Sequence, residues 1–374
     1  MDLNAKTKIN ILSHGRFHML DLARELSRQG LDVRFYSFVP KKRCAKFGLP
    51  EKNCSSLFYY LAPLLLIERH IRSFDYARRL VQDFLMGAFI RKCDILISLT
   101  GFVYAPKKSK RKNAIIIIER GSKHILEQKK ILESNPYRTS TKAIPKCNIR
   151  QNLEAYKLAD YISVPSQHAF DSFLLHGYPE KKLFRNPYGV DLSMFHQQLY
   201  IRKEYDFIMV GGWSYQKGCD LIAKAIEQTS YTLLHVGSLV DVPFPISKQF
   251  THIDTLDKSK LVNYYNKAKI FILPSRQDGF GMVLSEAMAC NLPIIGSKDS
   301  GAADLKEMVE FPQYITIIDS YTPEAVVKAM DRAIEMYPTL DGKKYAGKAI
   351  ENLTWEAYGK RYSNFIRSIM KGRQ

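Results

Sequence analysis

The sequence predicts an α/β protein made of two doubly wound parallel sheets that face a central cleft. Three observations predict it. Short apolar, strand-like runs alternate with amphipathic, helix-like ones, the pattern of a parallel sheet with crossover helices. The alternation stops at the Pro/Gly punctuation "RNPYGVD" (185–191) and restarts at "YDFIMVGG" (205–212), placing a hinge near 187–204. A length of 374 residues also favours about two domains over one.

Each element follows from its pattern. "KINILS", "HMLDLARELSRQG" and "LDVRFYSF" read as strand, helix and strand. Met19, Leu22, Ala23 and Leu26 share one helix face, and Gly30 is placed to stop the helix. "DILISLTG" (94–101), "AIIIIER" (114–120) and "YISVPS" (161–166) are the further strands of the first half. The second half supplies "YDFIMVGG", "TLLHVGS" (232–238), "KIFILP" (269–274), "LPIIGS" (292–297) and "YITIID" (314–319). The polar stretch 123–150 reads as a mobile flap.

Composition narrows the class. Hydrophobic content of 46% and charged content of 25% suit a soluble globular chain. The six cysteines, at 44, 54, 93, 147, 219 and 290, form no CxxC pair, so neither a disulfide framework nor a zinc site is expected. "MDLNAKTKINILSHG" lacks the apolar core of a signal peptide. The longest apolar run, "LFYYLAPLLLI" (57–67), is broken by Pro63 and too short to span a bilayer. A cytoplasmic chain is expected. Its charge of +19 is uneven: residues 1–200 hold 34 Lys and Arg against 17 Asp and Glu, the remainder 22 against 20. The first half is therefore expected to meet an anionic partner, and "KKSKRK" (107–112) is its densest run. No nucleic-acid-binding module is spelled out, which leaves an anionic membrane surface or a phosphorylated lipid.

The stretch "PSRQDGFGMVLSEAMACNLPIIGS" (274–297) carries the candidate chemistry. It reads as a strand end, a glycine turn, a helix and the next strand, one crossover unit. Asp278 lies in the turn with Gly279, Phe280 and Gly281, and Glu286 lies about one turn into the helix. Such loops border the ligand crevice of α/β sheets. Both carboxylates are thus placed to hold hydroxyl groups of one elongated ligand, the plainer alternative being a loop Asp and a solvated helical Glu.

The same stretch resembles the Glu-x7-Glu signature of the family 4 retaining glycosyltransferases, which have the GT-B fold of two Rossmann-like domains. "VGGWSYQKGCD" resembles that family's VGR-x4-KG-x-D segment, and "GVDLSMF" its linker. "GAADL" (301–305) stands in place of its GG-x2-E loop, and "TWEAYGKRYSNFI" resembles its closing helix. The resemblance covers about 160–370. It implies an acceptor domain over 1–190, a donor domain over 191–352 and a helix over 353–374 crossing back. It further implies a nucleotide-sugar donor, UDP- or GDP-linked, as substrate, with no cofactor and no metal. Glu286 would take the ribose hydroxyls, Asp278 the transferred sugar, and Lys217 the diphosphate leaving group. The acceptor would be a glycan or a polyprenyl-phosphate-linked sugar in cell-surface polysaccharide synthesis, handled by a protein peripheral on the cytoplasmic face of the membrane.

Two departures stand out. Asp278 is one methylene shorter than the family's Glu. Gly212 occupies the place of an Arg that, with the Lys, clamps the diphosphate; Arg276 or Arg185 is expected to replace it, the alternative being an impaired scaffold or simple nucleotide-binding protein. In the first domain "SHGRFH" (13–18) follows the first strand, where Gly15 would let the backbone approach the donor phosphates. His14, Arg16 and His18, with Glu119 and Arg120 at a later strand end, are the candidate acceptor-binding residues. No Asp-x-Asp pair is present, which argues against a metal-dependent transferase of the other fold type.

Overall fold

The apolar runs form the strands of two sheets in a computed structural model, which describes residues 7–61, 75–137, 144–340 and 342–372. The first half runs β1 (Lys8–Leu12), α1 (Phe17–Arg28), β2 (Asp32–Ser37), α2 (Lys41–Lys46), β3 (Cys54–Ser56), α3 (Asp75–Phe89) and β4 (Ile95–Leu99). It continues with α4 (Tyr104–Lys110), β5 (Ile115–Glu119), α5 (Ile125–Glu133), α6 (Lys146–Leu158), β6 (Tyr161–Val164), α7 (Gln167–Leu175) and β7 (Leu183–Arg185). Its sheet has the order β3-β2-β1-β4-β5-β6-β7.

The second half runs β8 (Tyr205–Val210), α8 (Cys219–Glu227), β9 (Leu233–Val236), β10 (Phe250–Ile253), α9 (Lys258–Lys267) and β11 (Ala268–Leu273). It continues with α10 (Met282–Ala289), β12 (Ile294–Ser297), α11 (Ala302–Met308), β13 (Ile315–Ile318), α12 (Pro323–Met336) and α13 (Trp355–Lys371). This sheet has the order β10-β9-β8-β11-β12-β13, and the pairings in both sheets are parallel. Both are doubly wound sheets whose order reverses beside the first strand, which opens a crevice at the strand carboxyl ends.

Every strand expected from the sequence forms. The unforeseen β3, β7 and β10 are edge strands of three or four residues. An edge strand that short carries too few apolar positions to leave a pattern. Met19, Leu22, Ala23 and Leu26 are fully buried, and Gly30 ends its helix with φ +81°. The flap expected over 123–150 is instead largely helical, in α5 and the start of α6, with 138–143 outside the described residues. Of the run "LFYYLAPLLLI", residues 62–67 also lie outside them. Among the described residues no helix is long and apolar enough to cross a membrane.

Helix α13 packs on α1, where a Cβ on Gly359 would lie 2.4 Å from the Glu25 Cβ. Arg361 locks the crossing by donating to the Asn186 side chain (2.7 Å) and the Pro187 carbonyl (2.7 Å).

Candidate active site

Lys217 reaches the crevice because β8 is followed by Gly211 and Gly212, and the chain then makes a short 3-10 turn, Tyr215–Lys217. Gly218 follows with φ +75° and opens α8. A Cβ there would lie 2.2 Å from the Pro274 carbonyl oxygen, so only glycine lets this turn sit against the acid loop. The acid loop leaves β11 at Pro274 and ends at Gly281, the N-cap of α10. Lys217 Nζ forms an ion pair with Asp278. One turn into α10, Glu286 is nearly buried, and each of its oxygens has a partner: Lys258 Nζ at 2.9 Å and the Tyr265 hydroxyl at 3.0 Å. Burial and the Glu286 charge push the Tyr265 hydroxyl well above its ordinary pKa, so it stays a donor.

These groups border a cavity of about 480 Å³, lined by Gly212, Lys217, Ser238, Lys258, Asp278, Gly281 and Glu286 among others. All its lining residues belong to the second domain. The cavity joins the amino ends of α8, α9 and α10, so helix dipoles add positive potential to its two ammonium groups.

The structure corrects several expectations. Arg276 does not line the cavity: it makes a bidentate pair with Asp220 (2.6 and 2.9 Å) and stacks on the Tyr215 ring (3.7 Å). It ties the Lys217 turn to the acid loop, and its charge is already spent on Asp220. Arg185 is likewise paired, with Asp304 at 3.2 Å. Phe280 and Gly279 point at the other domain, not at the cavity. Phe280 is 1% exposed and meets Tyr188 edge-on.

In the first domain, His18, Glu119 and Arg120 are core residues, not cleft surface. His18 Nε2 lies 3.1 Å from Glu119, and Arg120 donates to the Lys123 carbonyl, Asn152 and Gln128. Glu119 ends a strand buried on both faces, so its carboxylate needs interior partners. His14 stacks on Phe102 and meets Gln82 at 3.2 Å, while the Arg16 guanidinium covers the Phe47 ring. Gly15 is not sterically required, since an added Cβ would meet the Phe17 ring only at 3.5 Å. The strain in this loop sits at Phe17 instead, which is 59% exposed with φ +36°.

Sequence reasoning missed the seam between the domains. Ser166 Oγ donates to the Gly279 carbonyl (2.6 Å), and Gln277 Nε2 to Ser122 (2.5 Å). Lys123 pairs with Asp299, which also accepts from the Tyr321 hydroxyl. Against the effect of burial, these two donors hold the Asp299 carboxyl below its usual range. Asp304, in the "GAADL" segment, accepts from the Gln167 amide (2.9 Å) as well as from Arg185, and burial pushes its carboxyl up to about 6. Burial, then the Lys123 charge, lowers the His168 imidazole to about 4, so this seam residue is neutral near pH 7. Lys258 and Tyr265 were missed too; they belong to no motif, and their spacing from Glu286 exists only in three dimensions.

The geometry offers a nucleoside diphosphate two carboxylates for hydroxyl groups, two ammonium groups and three helix amino ends for phosphate. Known proteins agree with that frame. Residues 194–350 match the model of glycosyl transferases group 1. An uncharacterised glycosyltransferase of Methanocaldococcus jannaschii, MJ1178, is 30% identical over 115 residues, 29% of this chain and 33% of that protein. A probable sucrose-phosphate synthase of Thermosipho melanesiensis is 26% identical over 245 residues, 57% of this chain and 55% of that one. The chain thus spans a third to about half the length of these curated relatives. Anabaena Alr3699/HepE, solved in complex with UDP and glucose, superposes with a TM-score of 0.66 over 97% of this chain and 100% of that one, at 14% identity. The chain therefore has the GT-B fold, and its residues 194–350 are similar to glycosyl transferases group 1.

Proposed function

We propose that this protein transfers a sugar, with retention of anomeric configuration and without a metal, from a UDP- or GDP-linked donor to a glycan or polyprenyl-phosphate-linked acceptor. The observation that carries the reading is the 480 Å³ cavity lined together by Lys217, Asp278 and Glu286. Glu286, held at both oxygens, takes the ribose hydroxyls, while Asp278 takes hydroxyls of the sugar. As the sugar C1–oxygen bond to the diphosphate breaks, Lys217 and the α8 and α10 amino ends stabilise the charge left on the phosphate. The acceptor oxygen bonds to C1 from the same face, and its proton passes to the departing phosphate oxygen. The protein's task is then positioning and charge stabilisation rather than strong base catalysis.

The acceptor side is proposed to work at an anionic bilayer on the cytoplasmic face, consistent with a role in cell-surface polysaccharide synthesis. Lys107, Arg111 and Lys112 are exposed around the end of α4, and Leu80, Phe84 and Tyr104 are exposed beside them on α3 and α4. A screen of UDP-, GDP- and dTDP-sugars by thermal shift and hydrolysis tests the donor assignment. Proton NMR of the product and assay in EDTA test the chemistry: an inverted product, or activity lost in EDTA and restored by manganese, overturns it.

A further inference from the structure

The cavity contains a charge problem. A donor diphosphate brings about two negative charges into a site where both ammonium groups already face carboxylates, Lys217 on Asp278 and Lys258 on Glu286. Position 212, where the resembling family places a second cation, is glycine. It has little room for more: an added Cβ would lie 2.9 Å from the Val240 side chain. Arg276 and Arg185 are committed to Asp220 and Asp304. Among the described residues, Lys217 and Lys258 are the cations that line the cavity.

Lys258 has properties that plain surface residues lack. It occupies the first position of α9, where the helix dipole disfavours a cation. Its ammonium nevertheless lies 2.9 Å from a carboxylate that is only 5% exposed, while its own side chain is 50% exposed. One end of this pair is fixed and the other is loose. A lysine ammonium is a mobile point charge on a flexible stem, suited to changing partners within a few ångströms. When ribose hydroxyls donate to Glu286, they replace the hydrogen bond that Lys258 makes there, and Tyr265 continues to hold the other oxygen.

We infer that Lys258 is the second diphosphate cation of this site: it guards Glu286 in the empty protein and swings to the donor phosphates when ribose takes its place. The inference rests on the nucleotide-sugar reading above and adds a residue to it. Calorimetric titration of the full chain with UDP and GDP, and with uridine and guanosine by competition, tests it. Lys258→Ala is expected to weaken diphosphate binding about 10- to 100-fold while changing nucleoside binding less than about threefold, and Lys258→Arg to keep most of the diphosphate affinity. Equal losses for nucleoside and diphosphate would make Lys258 only a positioning residue for Glu286 and overturn the inference. Unchanged diphosphate binding in Lys258→Ala overturns it as well. Failure of the unaltered protein to bind either diphosphate is a different result, and it removes the donor reading itself.

Discussion

At the residue scale, two side chains carry the site and one histidine reports on its frame. Glu286→Ala removes the acceptor for ribose hydroxyls, and Lys217→Ala the charge opposite the leaving group. Each is expected to lower kcat/KM for the donor sugar about 10²- to 10³-fold, the scale of losing one preorganised electrostatic group. Circular dichroism should show both variants folded, and folded variants with unchanged transfer rates would refute the assignment. His235 is fully buried against Gly211, which lines the cavity. Its Nε2–H donates to the Gly211 carbonyl (2.8 Å), so its Nδ1 accepts from His252 Nδ1 (2.9 Å). Burial is the main cause that lowers this imidazole from 6.5 to about 4. A base with a lowered folded pKa binds its proton first in the unfolded chain. Its contribution is therefore intact above pH 6.5 and is lost as pH falls toward 4. The loss between pH 7.5 and 5 is about 2 kcal/mol. Asp304 acts in the opposite sense, since its raised carboxyl gains stability below about pH 6. Urea unfolding of His235→Gln at the two pH values isolates the histidine: the variant should lose about 2 kcal/mol less than the unaltered chain.

At the scale of elements, the acid loop serves two surfaces at once. Asp278 and Gly281 line the cavity, whereas Gly279 and Phe280 between them key the loop to the first domain. A Cβ on Gly279 would lie 1.8 Å from the Gly121 carbonyl oxygen, so the glycine is required by the seam and not by the donor. Gly279→Ala is therefore expected to hold the domains apart while sparing the cavity. UDP or GDP affinity should change less than about threefold and turnover should fall at least about tenfold, a split that calorimetry and steady-state assay read directly. Parallel losses in both would show that the loop acts on the donor alone. The glycine and the helix of this loop were legible in the sequence because turn chemistry and helical period are local. Which surface each glycine served was not, because the second surface is 158 residues away at Gly121.

At the scale of the molecule, charge separates the halves. Residues 1–200 carry twice as many basic as acidic side chains, and the rest of the chain is nearly balanced. Some of that charge is already partnered: Lys108 donates to the Gly87 carbonyl (2.6 Å) and Lys110 to the Leu158 carbonyl (2.7 Å), each closing a helix end, and Lys110 also pairs with Asp160 (2.9 Å). Lys107, Arg111 and Lys112 remain at the surface beside Phe84 and Tyr104, whose rings stack 5.9 Å apart. Each basic residue near an anionic bilayer contributes roughly 1 kcal/mol, so a handful give reversible attachment. Co-sedimentation should show binding to anionic vesicles at low salt, release at about 0.5 M salt, and little binding to neutral vesicles. Equal binding to both kinds, or to neither at low salt, would refute the docking.

The sequence by itself determined the two doubly wound sheets, their strands apart from three short edges, and the positions of Lys217 and Asp278 just before helices and of Glu286 one turn into the second. All of these follow from periods and turns that act over a few residues. Only the tertiary structure decided which charges are available. Arg276 looked free beside the acid loop, yet Asp220, fifty-six positions earlier, neutralises it. Lys258 looked like one lysine among many, yet the fold places it on Glu286. His18, Glu119 and Arg120 looked like cleft residues, yet they are buried, His18 on Glu119 and Arg120 on Lys123, Asn152 and Gln128. A charge's effect depends on burial and on partners brought from far along the chain, and neither leaves a local mark in sequence.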